Sequence, residues 1–359
     1  MKRLLITALL TAALGACSKE IVFNRNDISP TLLVNSQMTA GDSFHIVYLA
    51  ISKDVRIDTI NSGSVRCYIN GELAAEGIVD DSDDDAFTTD EETGVYGIQP
   101  GGAKQTRFIF KADFKPGDLV RIEAEANDGA YKAYSEVTVP KAPEFHIADT
   151  SYQKNTPDGS MFFNGSYRII LSGNDIRGET DYYRLKMGYS RVDRAFRDDA
   201  DGPKRWDVRH GFRHVRLDKG NDPILNDSAT SENLDLFGAS QNSFNVFSDK
   251  LFTDETFRIT AEIDSSIPDS FPMVDEKYDR TDSEISLSAV IYGITEDEYH
   301  YLKAVSIYDY VDGDTLFTEP VSFPDNVEGG VGLVSICTPA VATVIFKRTF
   351  GHGGILYSD

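Results

Sequence analysis

The chain has 359 residues, a formal net charge of −23 and three cysteines. This length fits two domains, each large enough to bury its own apolar core. The negative charge repels polyanions, so we expect neither nucleic acid nor an anionic lipid surface as a partner. Three cysteines without a CxxC pair are too few for a cysteine-based zinc site. A disulfide between Cys67 and Cys337 is an alternative that the sequence allows, but we do not expect it.

Residues 1–17 have the pattern of a bacterial export signal that ends in a lipid-attachment site. Met1-Lys2-Arg3 is positively charged, and the apolar segment that follows is too short for a permanent membrane span. Leu14-Gly15-Ala16-Cys17 then resembles a lipobox, in which the cysteine becomes the first residue and carries the lipid. We therefore predict a signal peptide at 1–16 and a lipid anchor on Cys17. The alternative is an ordinary secretory signal with a chance cysteine.

Residues 31–140, which follow a predicted tether at 17–30, alternate between apolar and polar side chains as β-strands do. The alternation is clear from Val65 to Ile69, after which Asn70-Gly71 predicts a type I′ hairpin turn. Further turns are predicted at Lys115-Pro116-Gly117-Asp118 and Asn127-Asp128-Gly129. Pro140 cannot donate to a sheet and marks the end of the domain. We predict an antiparallel β-sandwich of immunoglobulin-like size.

Residues 141–359 show the same alternation with longer connections. Three stretches each place apolar side chains on one face, namely Tyr183 to Tyr189, Phe257 to Ile263 and Ile285 to Ile291. One helix is predicted after Thr295-Glu296-Asp297-Glu298, which is a capping-box pattern. A last strand is predicted at Val341 to Phe346. The predicted fold is therefore all-β, with two antiparallel β-sandwich (immunoglobulin-like) domains and one short helix in the second.

The segment from Arg191 to Lys219 is net basic within this acidic protein and contains the only tryptophan, Trp206. Guanidinium groups pair with carboxylates, phosphates or sulfates, and an indole ring offers an apolar contact. We predict a loop-borne face for a ligand or a partner, formed by Trp206, Arg209, His210, Arg213, His214 and Arg216. The alternative is a solvated connection whose charges pair locally.

Metal binding and catalysis have weak support in the sequence. His210 and His214 have a spacing that places both on one face of a helix or a strand, but neighbouring arginines oppose a cation there. The acidic runs Asp80 to Asp85 and Asp309 to Asp314 lack the ligand spacing of an EF-hand, so we interpret both as solvated turns. The sequence has no nucleophile elbow, zinc-protease motif or nucleotide-binding glycine loop. We expect no metal, no cofactor and no catalytic residues.

Several short motifs are spread along the chain. They are Leu33-Val34-Asn35, Asp181 to Leu185, Phe247 to Phe252, Tyr299 to Leu302, Glu319 to Val321 and Asp325 to Gly332. Together with the lipobox they resemble the lipoproteins of Bacteroidota that are grouped as domain of unknown function 4249. Gly330 stands where that family usually has Asn. In physical terms, the glycines of the last motif permit a tight turn, so we interpret it as a structural corner and not as a binding loop.

The resemblance implies an outer-membrane lipoprotein that is commonly produced alongside a TonB-dependent receptor, with no catalytic activity assigned. We therefore expect a lipid-anchored, non-enzymatic accessory or ligand-binding partner of such a receptor in nutrient uptake. We expect it to be exposed on the cell surface. The first alternative is a surface adhesin or structural lipoprotein without a transport partner. The second is a hydrolase that uses some of the 58 acidic residues. The resemblance does not identify a ligand.

The predicted anchor can be tested by changing the cysteine. Because the thiol of Cys17 is the site of lipid attachment, Cys17→Ala should block acylation and processing at this residue. Metabolic labelling with a fatty acid analogue should then mark the wild-type protein and leave the variant unlabelled. Incorporation of the label into the variant would show that the anchor is elsewhere.

Overall fold

A computed structural model describes residues 29–53, 56–80, 105–154, 165–174, 180–199, 201–219, 222–226, 242–252, 256–264, 279–311, 323–351 and 356–357. The predicted signal peptide at 1–16 and nearly all of the predicted tether at 17–30 lie outside these residues. The described chain consists mainly of β-strands with one α-helix, which confirms the predicted all-β class. Within it, no helix is long and apolar enough to cross a membrane.

Two sheets face each other in the N-terminal half. One contains β1 (Thr31–Thr39), β2 (His45–Lys53), β3 (Arg56–Asp58), β6 (Ile78–Val79) and β7 (Thr106–Phe110). The other contains β4 (Gly63–Ile69), β5 (Glu72–Glu76), β8 (Leu119–Ala126) and β9 (Tyr131–Thr138), in the order β5-β4-β8-β9. Every second side chain of β1 and β8 is buried, and these side chains meet in one core that includes Val34 and Ile122.

The predicted turns of this half are confirmed. Asn70 and Gly71 have φ angles of 53° and 86°, as a type I′ turn requires, and they join β4 to β5. The turn at Asn127-Asp128-Gly129 joins β8 to β9 within the same sheet. The turn that contains Gly117, with φ of 91°, has a different role because it carries the chain from β7 in one sheet to β8 in the other.

The C-terminal half also has two facing layers. One is a three-stranded sheet of β10 (Glu144–Lys154), β11 (Gly165–Asn174) and β15 (Thr256–Asp264). The other contains β12 (Tyr182–Asp199), β13 (Gly202–Val215), β14 (Val246–Ser248), β16 (Arg280–Ile294), β17 (Val334–Gly351) and β18 (Leu356–Tyr357). Leu171, Leu185, Ile259 and Leu287 belong to the core between them. The three predicted apolar stretches of this half therefore line one core.

β17 belongs to both halves of the protein. Its first residues pair in parallel with β1, from Ser36 opposite Val334 to Thr39 opposite Cys337. Residues 338–351 then pair with β16 in the antiparallel direction. One continuous sheet therefore runs in the order β13-β12-β16-β17-β1-β2-β7-β6.

The shared strand differs from the prediction in two ways. The strand predicted at Val341 to Phe346 is present but begins earlier, at Val334. Val334 and Ile336 are buried in the N-terminal core, so this core draws residues from beyond the predicted boundary at residue 140. The chain leaves the N-terminal sandwich and later returns to complete it.

The helix α1 (Glu296–Val311) lies on the face of the long sheet opposite to the C-terminal core. The Glu298 backbone N–H donates to Thr295 Oγ1 at 3.2 Å, which confirms the predicted start of the helix. The Glu298 carboxylate is not used for the second capping bond. It forms a buried ion pair with Arg184 of β12, with the nitrogen and oxygen 3.3 Å apart. Leu302 of the helix belongs to a third buried cluster, which also contains Tyr182 and Ile294.

The predicted corner at Asp325 to Gly332 is the connection into β17. The side-chain amide of Asn326 donates to the Val334 carbonyl oxygen at 2.8 Å and accepts from the Val334 N–H at 2.9 Å. Gly332 has φ of 131°, and a Cβ atom there would lie 2.1 Å from the Val34 carbonyl oxygen of β1. Glycine is therefore required where the corner meets β1.

Replacing this glycine should destabilise the fold more than replacing a glycine in an open turn. Gly332→Ala adds a contact with the backbone of β1, so we expect the free energy of unfolding to fall by about 3 kcal/mol or more. Gly41→Ala is the matched control, because Gly41 also has positive φ (95°) but nothing within 4 Å of its Cβ position. Its cost should be about 1 kcal/mol in urea unfolding. Equal costs for the two variants would contradict the close approach.

Candidate functional site

The basic segment from Arg191 to Lys219 lies mostly in a long β-hairpin. β12 and β13 pair in the antiparallel direction from Asp199 opposite Gly202 to Met187 opposite Val215. The prediction of a loop-borne face is therefore wrong. Charged side chains occur on both faces of this hairpin, which removes the apolar–polar alternation by which strands are identified in a sequence.

β13 is the edge strand of the long sheet, since among the described strands it pairs only with β12. Its residues from 203 to 209 are all exposed, although their side chains alternate between the two faces. The exposed residues include large apolar ones: Trp206 is 38% exposed, Val208 50% and Phe212 43%. Both faces and one edge of this strand are therefore accessible.

A β-bulge in β13 separates the two histidines. Between the pairs Tyr189–Arg213 and Arg191–His210, β12 has one residue and β13 has two. The extra residue shifts the alternation of side chains by one position. His210 and His214 consequently point to opposite faces, and the prediction that they share a face is wrong.

The six residues of the predicted face are divided between two surfaces. Three lie opposite buried residues of β12 and share the side of the C-terminal core: Trp206 is opposite Ala195, His210 opposite Arg191 and Arg213 opposite Tyr189. Arg209 and His214 lie on the other face, and Arg216 is exposed between buried Val215 and Leu217. No single face therefore presents all six.

A buried polar network connects β12, β13 and β16. Arg191 Nε donates to Asp193 Oδ1 at 2.7 Å, and the Arg191 guanidinium also donates to Ser283 Oγ at 3.2 Å. The Ser283 hydroxyl donates to Asp193, and His210 Nε2 lies 3.0 Å from Asp193 Oδ2. Arg191, Asp193 and Ser283 are buried, and His210 is half-buried. The network thus satisfies a buried charge pair where the apolar core ends.

This network contains the residue types of a hydrolase triad but not its arrangement. The Ser283 hydroxyl bonds to Asp193, and within the described residues it has no hydrogen bond to the His210 imidazole. Nucleophilic catalysis by serine needs a neighbouring base that accepts its proton. The network therefore fits a structural role, in which it holds β13 and β16 in place beside β12.

The arginines of the hairpin differ in their partners. Arg205 Nε and a terminal nitrogen each donate to Asp207 at 2.7 Å, and this hydrogen bonding lowers the pKa of the Asp207 carboxyl. Arg209, Arg213 and Arg216 form no hydrogen bond or ion pair with any residue that the structure describes. The alternative interpretation of this segment was that its charges pair locally. Such pairing therefore accounts for Arg205 and Asp207, and it leaves the guanidinium groups of three arginines available to bind a partner.

The end of the basic segment is attached to the protein interior. The Lys219 ammonium donates to the carbonyl oxygen of Asn242. Burial lowers the pKa of Lys219 to about 8, and the neighbouring charge of Arg216 acts in the same direction. Lys219 thus helps to attach the hairpin to the rest of the protein and is not part of its exposed surface.

The other residues considered from the sequence lie outside this site. Cys17 is beyond the described residues. Asp80 forms an ion pair with Arg107, while the rest of that acidic run, and the end of the run at Asp309 to Asp314, also lie outside the described residues. In the described part, no group of three His, Cys, Asp or Glu side chains could hold a metal ion.

Cys67 and Cys337 are free, and each is buried in a different cluster. Burial raises the pKa of the Cys67 thiol to about 12 and that of the Cys337 thiol to about 11. Neither thiol is therefore suited to act as a thiolate near neutral pH.

Arg191, Asp193 and Ser283 were not predicted from the sequence as a unit. A signal was present, because Leu185, Met187 and Tyr189 are followed by Arg191 and Asp193 at the same spacing of two. An apolar face that continues into charged residues indicates that the sheet extends past its core. The partner Ser283 is 90 residues away in the chain and had no such signal.

A comparison with known families identifies the chain. The family described as Domain of unknown function (DUF4249) matches residues 18–343. The chain belongs to this family. The match confirms the resemblance to domain of unknown function 4249 that the short motifs indicated. A search of curated proteins finds no match.

Two solved structures show weak similarity to this DUF4249 chain. One is a DUF4785 family protein from Legionella pneumophila, with 7% identity and a TM-score of 0.21, covering 73% of this chain and 52% of that one. The chain thus spans about half the length of the Legionella protein. The other is a chain of a cytokine receptor complex, with 12% identity and a TM-score of 0.17, covering 53% of this chain and 84% of that one.

Breaking the buried network should destabilise the protein. Asp193→Ala leaves the Arg191 guanidinium buried without its carboxylate, so the free energy of unfolding should fall by about 3–5 kcal/mol. Asp207→Ala in the same hairpin is the control, and it should change little because its ion pair with Arg205 is exposed. Replacing the charge pair together, as Arg191→Met with Asp193→Leu, should recover much of the loss. Equal effects of Asp193→Ala and Asp207→Ala in urea unfolding would contradict this.

Proposed function

We propose that this DUF4249 protein is a lipid-anchored, non-enzymatic protein of the outer membrane that acts as an accessory or ligand-binding partner of a TonB-dependent receptor in nutrient uptake. The observation that supports a binding role is the edge strand β13. It combines exposed Trp206, Val208 and Phe212 with the guanidinium groups of Arg209 and Arg213, for which the described part of the chain offers no hydrogen bond or ion pair. Aromatic residues and arginine are enriched where proteins bind one another.

The position of β13 relative to the anchor supports a partner in the same membrane. β1 begins at Thr31, directly after the predicted tether, and β13 is four strands away from β1 in the same sheet. Adjacent strands are about 4.8 Å apart, so the edge lies roughly 20 Å from β1 across the sheet. A continuous sheet fixes this distance between β13 and β1, and this fits a partner that is held in the same membrane.

The assignment of the partner as a TonB-dependent receptor rests on the family resemblance. A surface adhesin or a structural lipoprotein could present the same edge strand, and the two cases differ in what accompanies the protein in its own membrane. A hydrolase with a serine–histidine pair would have to use residues other than Ser283 and His210, which share no hydrogen bond within the described residues.

Isolation of the native complex tests this proposal. The protein should be purified by affinity from gently solubilised membranes of its own host, with unrelated lipoproteins from the same membranes as controls. The proposal predicts a β-barrel receptor at a ratio near one to one with the protein. Recovery of the protein without any such receptor would contradict a role in transport. If cells that carry the protein also adhere to an external surface through it, this result would support the adhesin alternative.

A further inference from the structure

The edge of β13 is a surface to which another strand can bind. An edge strand presents a row of backbone N–H and C=O groups that a further strand can pair with. The regular part of β13 extends from Lys204 to His210, because Pro203 lacks an N–H and the bulge begins after His210. This stretch suits a short extended segment of a partner.

The charges of β13 favour one class of partner. The strand carries four basic side chains, Lys204, Arg205, Arg209 and Arg213, and one acidic side chain, Asp207. Two copies of β13 paired edge to edge would place like charges opposite each other, which is destabilising. An acidic strand would instead place carboxylates beside the guanidinium groups of Arg209 and Arg213, which no described residue pairs with.

The apolar residues of β13 add contacts on both sides. Trp206 and Val208 lie on the face of the C-terminal core, whereas Phe212 contacts His214 on the other face, with ring centroids 5.1 Å apart. Arg209 and Arg213 also lie on opposite faces because of the bulge. A bound strand would therefore carry apolar and acidic side chains on both of its faces.

We propose that β13 binds an extended, acidic segment of another protein by strand addition, so that this segment becomes the next strand of the sheet. Backbone hydrogen bonds contribute affinity, and the guanidinium groups select acidic sequences. The inference rests on the proposed function in that it names the binding surface and the chemistry of the partner. It does not require that partner to be a TonB-dependent receptor.

A peptide assay tests strand addition directly. The probe is a synthetic peptide of about ten residues, rich in Glu, Val and Thr, titrated onto the full-length protein in detergent. Two comparison peptides have Lys in place of Glu, or proline at alternate positions, which removes backbone donors while keeping the acidic charge. The acidic peptide should bind, with affinity that falls as salt rises, and neither comparison peptide should bind comparably.

Protein variants locate the binding surface. Arg209→Glu with Arg213→Glu should weaken binding of the acidic peptide by at least about tenfold, because attraction becomes repulsion. The matched control is Arg168→Glu with Arg258→Glu, which makes the same charge change at exposed residues of the three-stranded sheet. It should leave the affinity within about twofold of the wild type. Circular dichroism should show that both variants are folded.

Any one of four results would overturn the inference. Three concern the peptide: equal binding of the proline-containing peptide, an equal loss of binding in the control variant, and wild-type affinity in the Arg209→Glu/Arg213→Glu variant. The fourth is a stable dimer formed through β13. The proposal of a receptor partner has its own test, and it is contradicted if no receptor copurifies with the wild-type protein. If the receptor copurifies with the Arg209→Glu/Arg213→Glu variant as well, the receptor proposal still holds, and the receptor does not bind through these arginines.

Discussion

The fold depends on the pairing of β17 with β1. Backbone bonds from Ser36 N–H to the Leu333 carbonyl oxygen (2.8 Å) and from Ala40 N–H to the Cys337 carbonyl oxygen (2.8 Å) attach the start of β17 to β1. The same strand continues into the middle of the C-terminal sheet. Removing β17 would therefore expose apolar surface in both halves at once.

This constraint has a consequence for the hairpin. β12 is held along its length by β16, and β16 is held by β17, so the edge at β13 is attached to β1 through an unbroken series of backbone hydrogen bonds. Beyond the apolar core, Arg191, Asp193 and Ser283 continue this attachment with charge-assisted bonds. A preorganised edge has little ordering entropy to lose when it binds a partner.

Local features could be predicted from the sequence and long-range ones could not. The turn at Asn70-Gly71, the cap at Thr295 and the corner before β17 depend on neighbouring residues, and all three are confirmed. The pairing of Thr39 with Cys337 joins residues 298 positions apart, for which the sequence holds no local signal. The hairpin was interpreted as a loop because charged residues on both faces hide strand alternation, and the bulge that separates His210 from His214 leaves no mark in their spacing.

Two natural thiols allow a direct test of the claim that β17 joins the halves into one cooperative unit. Cys67 is buried in the N-terminal core, and Cys337 is buried in the cluster under α1, together with Tyr182 of β12 and Ile294 of β16. Each thiol reacts with a labelling reagent only when its surroundings open. If β17 couples the halves, mass spectrometry should show both cysteines becoming labelled at the same urea concentration. Labelling of one cysteine at a clearly lower urea concentration than the other would show that the halves unfold independently and would contradict the account.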